Sequence, residues 1–188
     1  ISAMMLAAGY GKRLFPITEK IPKPLLEING ITLLDNTINF LHKLGCNQIV
    51  INTHYKHEQI QFAINKHRLR EKIEIIYEEN ILDTGGAIKN ASSFFKNRNI
   101  LITNGDIFWQ DNNLNDVKNM INNYKINNLP ILLLVEKIKA FGLNNHEGDF
   151  ILQQNKIKRY LKGDEIFFYS GLQLMCLDYF TKVKENKF

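Results

Sequence analysis

Met4-Met5-Leu6-Ala7-Ala8-Gly9-Tyr10-Gly11-Lys12-Arg13-Leu14-Phe15-Pro16 is followed closely by Thr18-Glu19-Lys20-Ile21-Pro22-Lys23-Pro24. A short apolar run feeds a glycine turn, and the turn ends in two cations. This is the layout of a buried strand whose carboxyl end delivers a backbone loop to an anion, a polyphosphate above all. Gly9 and Gly11 admit backbone angles that other residues avoid, and let main-chain N–H groups come close to a ligand. Lys12, Arg13 and Lys23 supply neutralising charge. A bare G-x-G also serves as a strand-to-helix turn, so local composition leaves both readings open.

Outward from this stretch, strands and helices alternate. Leu33, Leu34, Thr37, Ile38, Leu41 and Leu44 recur at helical spacing, and Gly45 stands where that helix would stop. Gln48 to Asn52 reads as a strand, Tyr55 to His67 as a helix and Ile73 to Tyr77 as a strand. Gly86 to Phe95 reads as a helix, and Ile100 to Thr103 as a buried strand running into Asn104-Gly105-Asp106. The alternation predicts an α/β fold: a Rossmann-like mixed, mainly parallel sheet with helices on both faces. Leu114, Val117, Ile121 and Tyr124 suggest a further helix, and Pro130 to Val135 a strand. Phe150 to Leu152, Lys156 to Lys158 and Ile166 to Leu174 read as short strands, with a loop from Asn144 to Gly148. The expectation is one domain over 1–188, with a small antiparallel excursion at about 137–175.

The chain has 188 residues and is 45% hydrophobic, enough for one sizeable core. Cys46 and Cys176 lie far apart in apolar surroundings and read as free core thiols. The five histidines have no zinc spacing. No apolar run approaches membrane-spanning length, and no signal-like segment is evident; the expectation is a cytoplasmic protein without a membrane partner. The net charge of +5 is scattered among acidic residues. That suits small anionic substrates and gives no nucleic-acid stripe.

Taken whole, L-A-A-G-Y-G-K-R-L-F-P-I-T-E-K-I-P-K-P-L closely resembles the signature of the sugar-1-phosphate nucleotidyltransferases. Gly9, Arg13, Pro16, Thr18, Pro22, Lys23 and Pro24 occupy the matching places. Over nearly the whole chain the resemblance is to short bacterial members acting on N-acetylmuramate 1-phosphate or mannose 1-phosphate. It implies the nucleotide-diphospho-sugar transferase fold, Mg²⁺ as cofactor, and small-molecule partners: a nucleoside triphosphate and a sugar 1-phosphate. It leaves a monomer or a homodimer open.

The resemblance also implies roles. Arg13, Lys23 and Asp106 would be catalytic, with Arg13 on the triphosphate, Lys23 on the reacting phosphates and Asp106 holding the metal. Asp106 follows a buried strand, where ligands of parallel sheets lie, although Asn-Gly-Asp is also a good turn. Leu6, Ala7, Ala8, Gly9, Gly11, Lys12 and Asn104 would receive the nucleotide. Within Leu82-Asp83-Thr84-Gly85-Gly86-Ala87-Ile88, Thr84, Gly85 and Gly86 would meet the base, unless Asp83 or Thr84 only caps a helix. Glu78 or Glu79 would accept a base N–H, and the sequence does not choose between guanine and uracil. Asn52, His54, Asp149, Ser170 and Gly171 would lie on the sugar side, where turn-and-strand readings compete. Glu136 and Lys139 match sugar-contacting positions only loosely.

One departure stands out. The family's second metal-binding aspartate is expected beyond Phe188, since Asp178 to Phe188 holds no I-G-T-P-like segment and Asp178 comes too early. The C-terminal part of the family fold is therefore expected to be missing, with Mg²⁺ held more weakly. Alternatives are a phosphocholine cytidylyltransferase, for which no cage can be placed, and a nucleotide-binding regulatory protein with little turnover. No GxSxG elbow or P-loop competes, and the third glycine of a dinucleotide fingerprint is replaced by Leu14.

Overall fold

Along the central strands apolar side chains alternate between two faces, so the sheet must bury both. The computed structural model describes residues 1–127, 129–136, 139, 148–154, 156–159 and 166–181. Its strands are β1 (Ser2–Leu6), β2 (Glu27–Ile28), β3 (Ile31–Thr32), β4 (Gln48–Thr53), β5 (Ile73–Tyr77), β6 (Asn99–Asn104), β7 (Ile131–Glu136), β8 (Phe150–Gln153), β9 (Lys156–Arg159) and β10 (Phe167–Cys176). The helices are α1 (Ile17–Lys20), α2 (Leu33–Lys43), α3 (His57–Lys66), α4 (Thr84–Ala91), α5 (Asn113–Asn127) and α6 (Asp178–Thr181).

The main sheet runs β5-β4-β1-β6-β10-β8-β9, with β7 also on β10. β5, β4, β1 and β6 are parallel. Ala3, Met5, Ile49, Ile51 and Leu101 face α2, α3 and α5 through Leu34, Ile38, Leu41, Ile60, Ile64 and Val117. Met4, Val50, Ile100 and Ile102 face the opposite way, onto Ala87, Ile88 and Ala91 of α4. The period-two alternation thus fixes register, because a one-residue slip would exchange the two cores. The expected α/β sheet with helices on both faces is the observed one.

Helix α2 shows how local chemistry sets an element. Thr32 caps it, its Oγ1 accepting from Asp35 N at 2.9 Å, a bond of the kind that contributes about 1 kcal/mol. At the far end Gly45, at φ 86°, turns the chain away, and Cys46 N donates to Leu41 O. The other ends differ by a few residues from expectation. α3 begins at His57 and frees Tyr55, while α4 begins at Thr84 and gives way to a tighter turn at Ser92.

The antiparallel half joins through β10, whose Leu174 pairs with Leu101 of β6. Leu172 and Leu174 are buried in the core shared with β1 and β4. Asn144 to Glu147, expected as a loop, lie outside the described residues. Among the described residues no helix is long and apolar enough to cross a membrane.

Candidate active site

The sheet register brings three residues level at the carboxyl edge: Leu6 pairs with Asn52 on one side and with Asn104 on the other. The chain leaves β1 at Ala7, whose N–H donates to Asn52 Oδ1 at 3.0 Å. Across the edge, Gly105 N donates to Leu6 O at 2.8 Å. A Cβ on Gly105 would stand 2.8 Å from that same oxygen, so the close approach requires glycine. A cleft of about 410 Å³ opens here, at the strand ends where open α/β sheets bind ligands.

Leu6, Ala7, Ala8, Gly9, Gly11, Lys12 and Arg13 all line this cleft. Gly11 sits at φ 66°, and its carbonyl accepts from Thr18 Oγ1 and Leu14 N, each at 2.9 Å. The unusual backbone angle expected at both glycines is used at Gly11 only. Gly9 is exposed, and a Cβ there would meet nothing within 4 Å. Lys12 and Arg13 are exposed on the cleft wall, with Lys12 Nζ 5.2 Å from the centre of the Tyr10 ring.

Two segments far apart in sequence, around Lys23 and around Asp106, also line the cleft. Pro22 and Pro24 are buried, and Leu25 N closes a tight turn on Pro22 O. The prolines leave Lys23 little freedom, and its Nζ lies 2.6 Å from Asp106 Oδ2. The two side chains are 27% and 37% exposed, so the pair faces the cleft and remains hydrated. Among the described residues no group of three His, Cys, Asp or Glu side chains could hold a metal ion. A lone carboxylate such as Asp106 nevertheless suits Mg²⁺, which is commonly bound through one or two protein carboxylates, with substrate phosphates and water completing its shell.

Ile81, Leu82, Asp83, Thr84 and Ala87 line the same cleft. Asp83 occupies the N-cap of α4, but its side chain makes no cap bond. Gly85 and Gly86 belong to the first turn of α4, with Gly86 buried. Glu78 is turned inward and only 3% exposed. Its carboxylate accepts from Asn52 Nδ2 at 2.9 Å and Leu82 N at 3.2 Å. Glu78 therefore ties the loop at Leu82 to β4 and is not among the residues lining the cleft; its neighbour Glu79 is exposed. Asn52 does line the cleft, as the strut between Ala7 and Glu78.

His54, expected on the sugar side, is not among the residues lining the cleft. Both its ring nitrogens are engaged, with Tyr10 Oη at 2.9 Å and Glu78 O at 2.8 Å. Asp149 Oδ2 accepts from Tyr169 N at 2.9 Å and joins the start of β8 to β10. Burial raises the pKa of the Tyr169 hydroxyl above its ordinary value. Ser170 Oγ is buried without a partner among the described residues. Gly171, at φ +82°, packs on Asn104, whose Nδ2 would lie 3.0 Å from a Cβ there. Asn104 thus links β10 to the cleft it lines, whereas Asp149, Ser170 and Gly171 are not among the lining residues. Lys139 pairs with Glu136 at 2.9 Å. Asp178 pairs with Arg98, just before β6 and at the opposite end of that strand from Asp106. Sequence reasoning missed Ile81 on the cleft wall and gave Leu82 and Ala87, which also line it, no role of their own. Leu82 and Ala87 lie within the glycine segment it singled out and Ile81 directly before it, and their apolar character was the available signal.

Fold and cleft together define a doubly wound α/β protein with a glycine loop and a charged pair at its carboxyl edge. The family model described as Nucleotidyl transferase matches residues 2–160, and the chain belongs to that family. It is 31% identical over 156 residues to the D-glycero-alpha-D-manno-heptose 1-phosphate guanylyltransferase of Campylobacter jejuni, a match covering 81% of this chain and 66% of that one. It is 37% identical over 132 residues to the bifunctional protein GlmU of Methanococcus aeolicus, covering 68% of this chain and 31% of the relative. The chain thus spans from about a third to two thirds of the length of these curated relatives. The crystal structure of HddC from Yersinia pseudotuberculosis with GMP-PN superposes at a TM-score of 0.76 and 23% identity, covering 100% of this chain and 81% of that one. This is a likeness of fold.

Proposed function

We propose that the chain transfers a nucleotidyl group from a nucleoside triphosphate to a sugar 1-phosphate, releasing pyrophosphate. The observation that carries the reading is the Lys23–Asp106 pair, at 2.6 Å, lining one cleft together with the glycine loop. A phosphate oxygen of the sugar phosphate attacks the α-phosphorus. The bond from that phosphorus to the oxygen bridging to the β-phosphate breaks, and the electron pair leaves with pyrophosphate. Such a step needs alignment and charge neutralisation more than covalent help.

On this reading the main-chain groups and cations of the glycine loop hold the triphosphate, with the Arg13 fork on the departing phosphates. Lys23 meets the charge developing at the α-phosphate. Asp106 is the residue that would hold Mg²⁺. The bound ion would neutralise phosphate charge and help align the two reacting oxygens. The apolar wall of Ile81, Leu82 and Ala87 suits the face of a base, with Thr84, Gly85 and Gly86 at the start of α4 close by. For the sugar we favour N-acetylmuramate 1-phosphate or mannose 1-phosphate. The names of the guanylyltransferase relatives add heptose 1-phosphate and support trying GTP first.

The test is pyrophosphate release with Mg²⁺, across UTP, GTP, CTP and dTTP against these sugar phosphates, glucose 1-phosphate, N-acetylglucosamine 1-phosphate and phosphocholine. The chain is assayed beside Asp106→Ala. Release for one pair, lost in the variant, is the expected result. Release with phosphocholine alone would move the reading to a cytidylyltransferase. Nucleotide binding without release would favour a regulatory protein, and no nucleotide binding would end the proposal.

A further inference from the structure

We infer that Tyr10 and His54 form a clamp that holds the glycine loop, and the Lys12 ammonium on it, in the position that receives the nucleotide. The inference rests on the proposed nucleotidyl transfer and extends it to two positioning residues outside the cleft lining. Tyr10 stands between the two glycines of the loop, and His54 immediately follows β4. Their side chains meet across 44 residues at 2.9 Å, Tyr10 Oη to His54 Nε2.

The bond has a defined direction. His54 Nδ1 lies 2.8 Å from the carbonyl oxygen of Glu78, which can only accept, so Nδ1 carries the proton. In the neutral ring Nε2 is then the acceptor, and the Tyr10 hydroxyl donates to it. Glu78 in turn is anchored by its backbone N–H on Thr53 O and by its carboxylate on Asn52 and Leu82. The loop is therefore tied through one imidazole to the ends of β4 and β5.

Packing reinforces the tie. The Tyr10 ring meets His54 edge-on at 5.4 Å and Tyr55 at 5.4 Å, while Lys12 Nζ lies over it at 5.2 Å. Tyr55 Oη donates to Thr18 O at 3.0 Å, and the fully buried Thr18 donates to Gly11 O. Two strand-end side chains thus fix both sides of Gly11. A loop held before the ligand arrives binds without the cost of being ordered. Removing the tie should weaken the hold on the triphosphate and leave the sugar phosphate and the chemical step alone.

The experiment uses Tyr10→Phe, His54→Ala, His54→Gln and the Tyr10→Phe/His54→Ala double variant. It combines calorimetric binding of the NTP identified in the release assay with steady-state kinetics and thermal melts. Tyr10→Phe and His54→Ala should each raise the NTP KM and Kd about 3- to 10-fold, the effect of one net hydrogen bond. The expected kcat and sugar-phosphate KM are unchanged. The double variant should cost no more than the worse single one, because the two residues share one bond. His54→Gln, whose amide oxygen can accept from Tyr10, should recover most of the affinity. Unchanged NTP affinity in folded variants, additive losses, or a loss confined to sugar-phosphate KM would each overturn the clamp while leaving nucleotidyl transfer standing. Absence of NTP binding by the unsubstituted chain would end both. Tyr10→Phe removes a single hydroxyl, so the test remains available if His54→Ala fails to fold.

Discussion

Replacing Lys23 by Met separates a catalytic role for the charged pair from a structural one. The ammonium is 2.6 Å from Asp106, with the two side chains 27% and 37% exposed. At that hydration an ion pair contributes about 0–1 kcal/mol to stability. For a domain of this size 1 kcal/mol moves Tm by about 2–4 °C, so Lys23→Met should lower Tm by less than about 4 °C. Turnover should fall far more, by about 10²–10³-fold, the usual effect of deleting one preorganised group that meets charge in the transition state. The ligand-free protein should respond in the opposite sense. With the ammonium gone, Asp106 is released to a cation, and at most about 1 kcal/mol of competition disappears. Mn²⁺ binding followed by electron paramagnetic resonance should tighten by no more than about fivefold, and Asp106→Asn should abolish the gain. Matched melts, pyrophosphate release and Mn²⁺ titrations decide the matter. A drop in Tm beyond about 10 °C, or a loss of turnover smaller than tenfold, would show that Lys23 chiefly braces the wall of the cleft.

Gly105→Ala should destabilise the protein by about 1–3 kcal/mol, because the new Cβ would stand 2.8 Å from Leu6 O and 2.9 Å from the buried Met5 Cε. Gly9→Ala, where a Cβ meets nothing within 4 Å, should leave the urea midpoint unchanged; equal effects of the two would refute the close-approach argument. Stability should also fall in mild acid. His67 is held neutral, first by burial against the opposing pull of Asp35, and its Nδ1 accepts from Leu69 N at 3.0 Å. Its folded pKa is lowered, so this contribution is fully present above the ordinary value of 6.5 and is lost as pH falls through the folded value. Urea midpoints at about pH 7.5 and about pH 5 should differ by less in His67→Gln. A residual slope is expected from His42, whose pKa is lowered by slight burial and by Lys72 and Arg68.

Much of the fold was legible because its determinants are local. Short apolar runs announced β1, β4, β5 and β6, and helical spacing with Gly45 announced α2. The glycine loop, the P-K-P turn and Asn104-Gly105-Asp106 could be read as strand-end features from their neighbours alone. Glu78 and His54 could not be placed the same way. Each is a polar residue beside a strand end, and nothing in its sequence neighbours says whether it faces the cleft or another backbone segment. The structure turns Glu78 inward because Asn52 Nδ2 and Leu82 N need an acceptor, and buried donors are seldom left unpaired.

From the sequence alone came the kinds of element, the positions of the turns and the cations and carboxylates available to a cleft. Periodicity, prolines and glycines act over a few residues, and their constraints survive without knowledge of the partner strand. Only the tertiary structure decided which groups meet. Lys23 reaches Asp106 across 83 residues, Tyr10 reaches His54, and β10 joins the parallel half through β6. Those meetings follow from strand order and register, which are set by burying two sheet faces at once and leave no local trace in the chain.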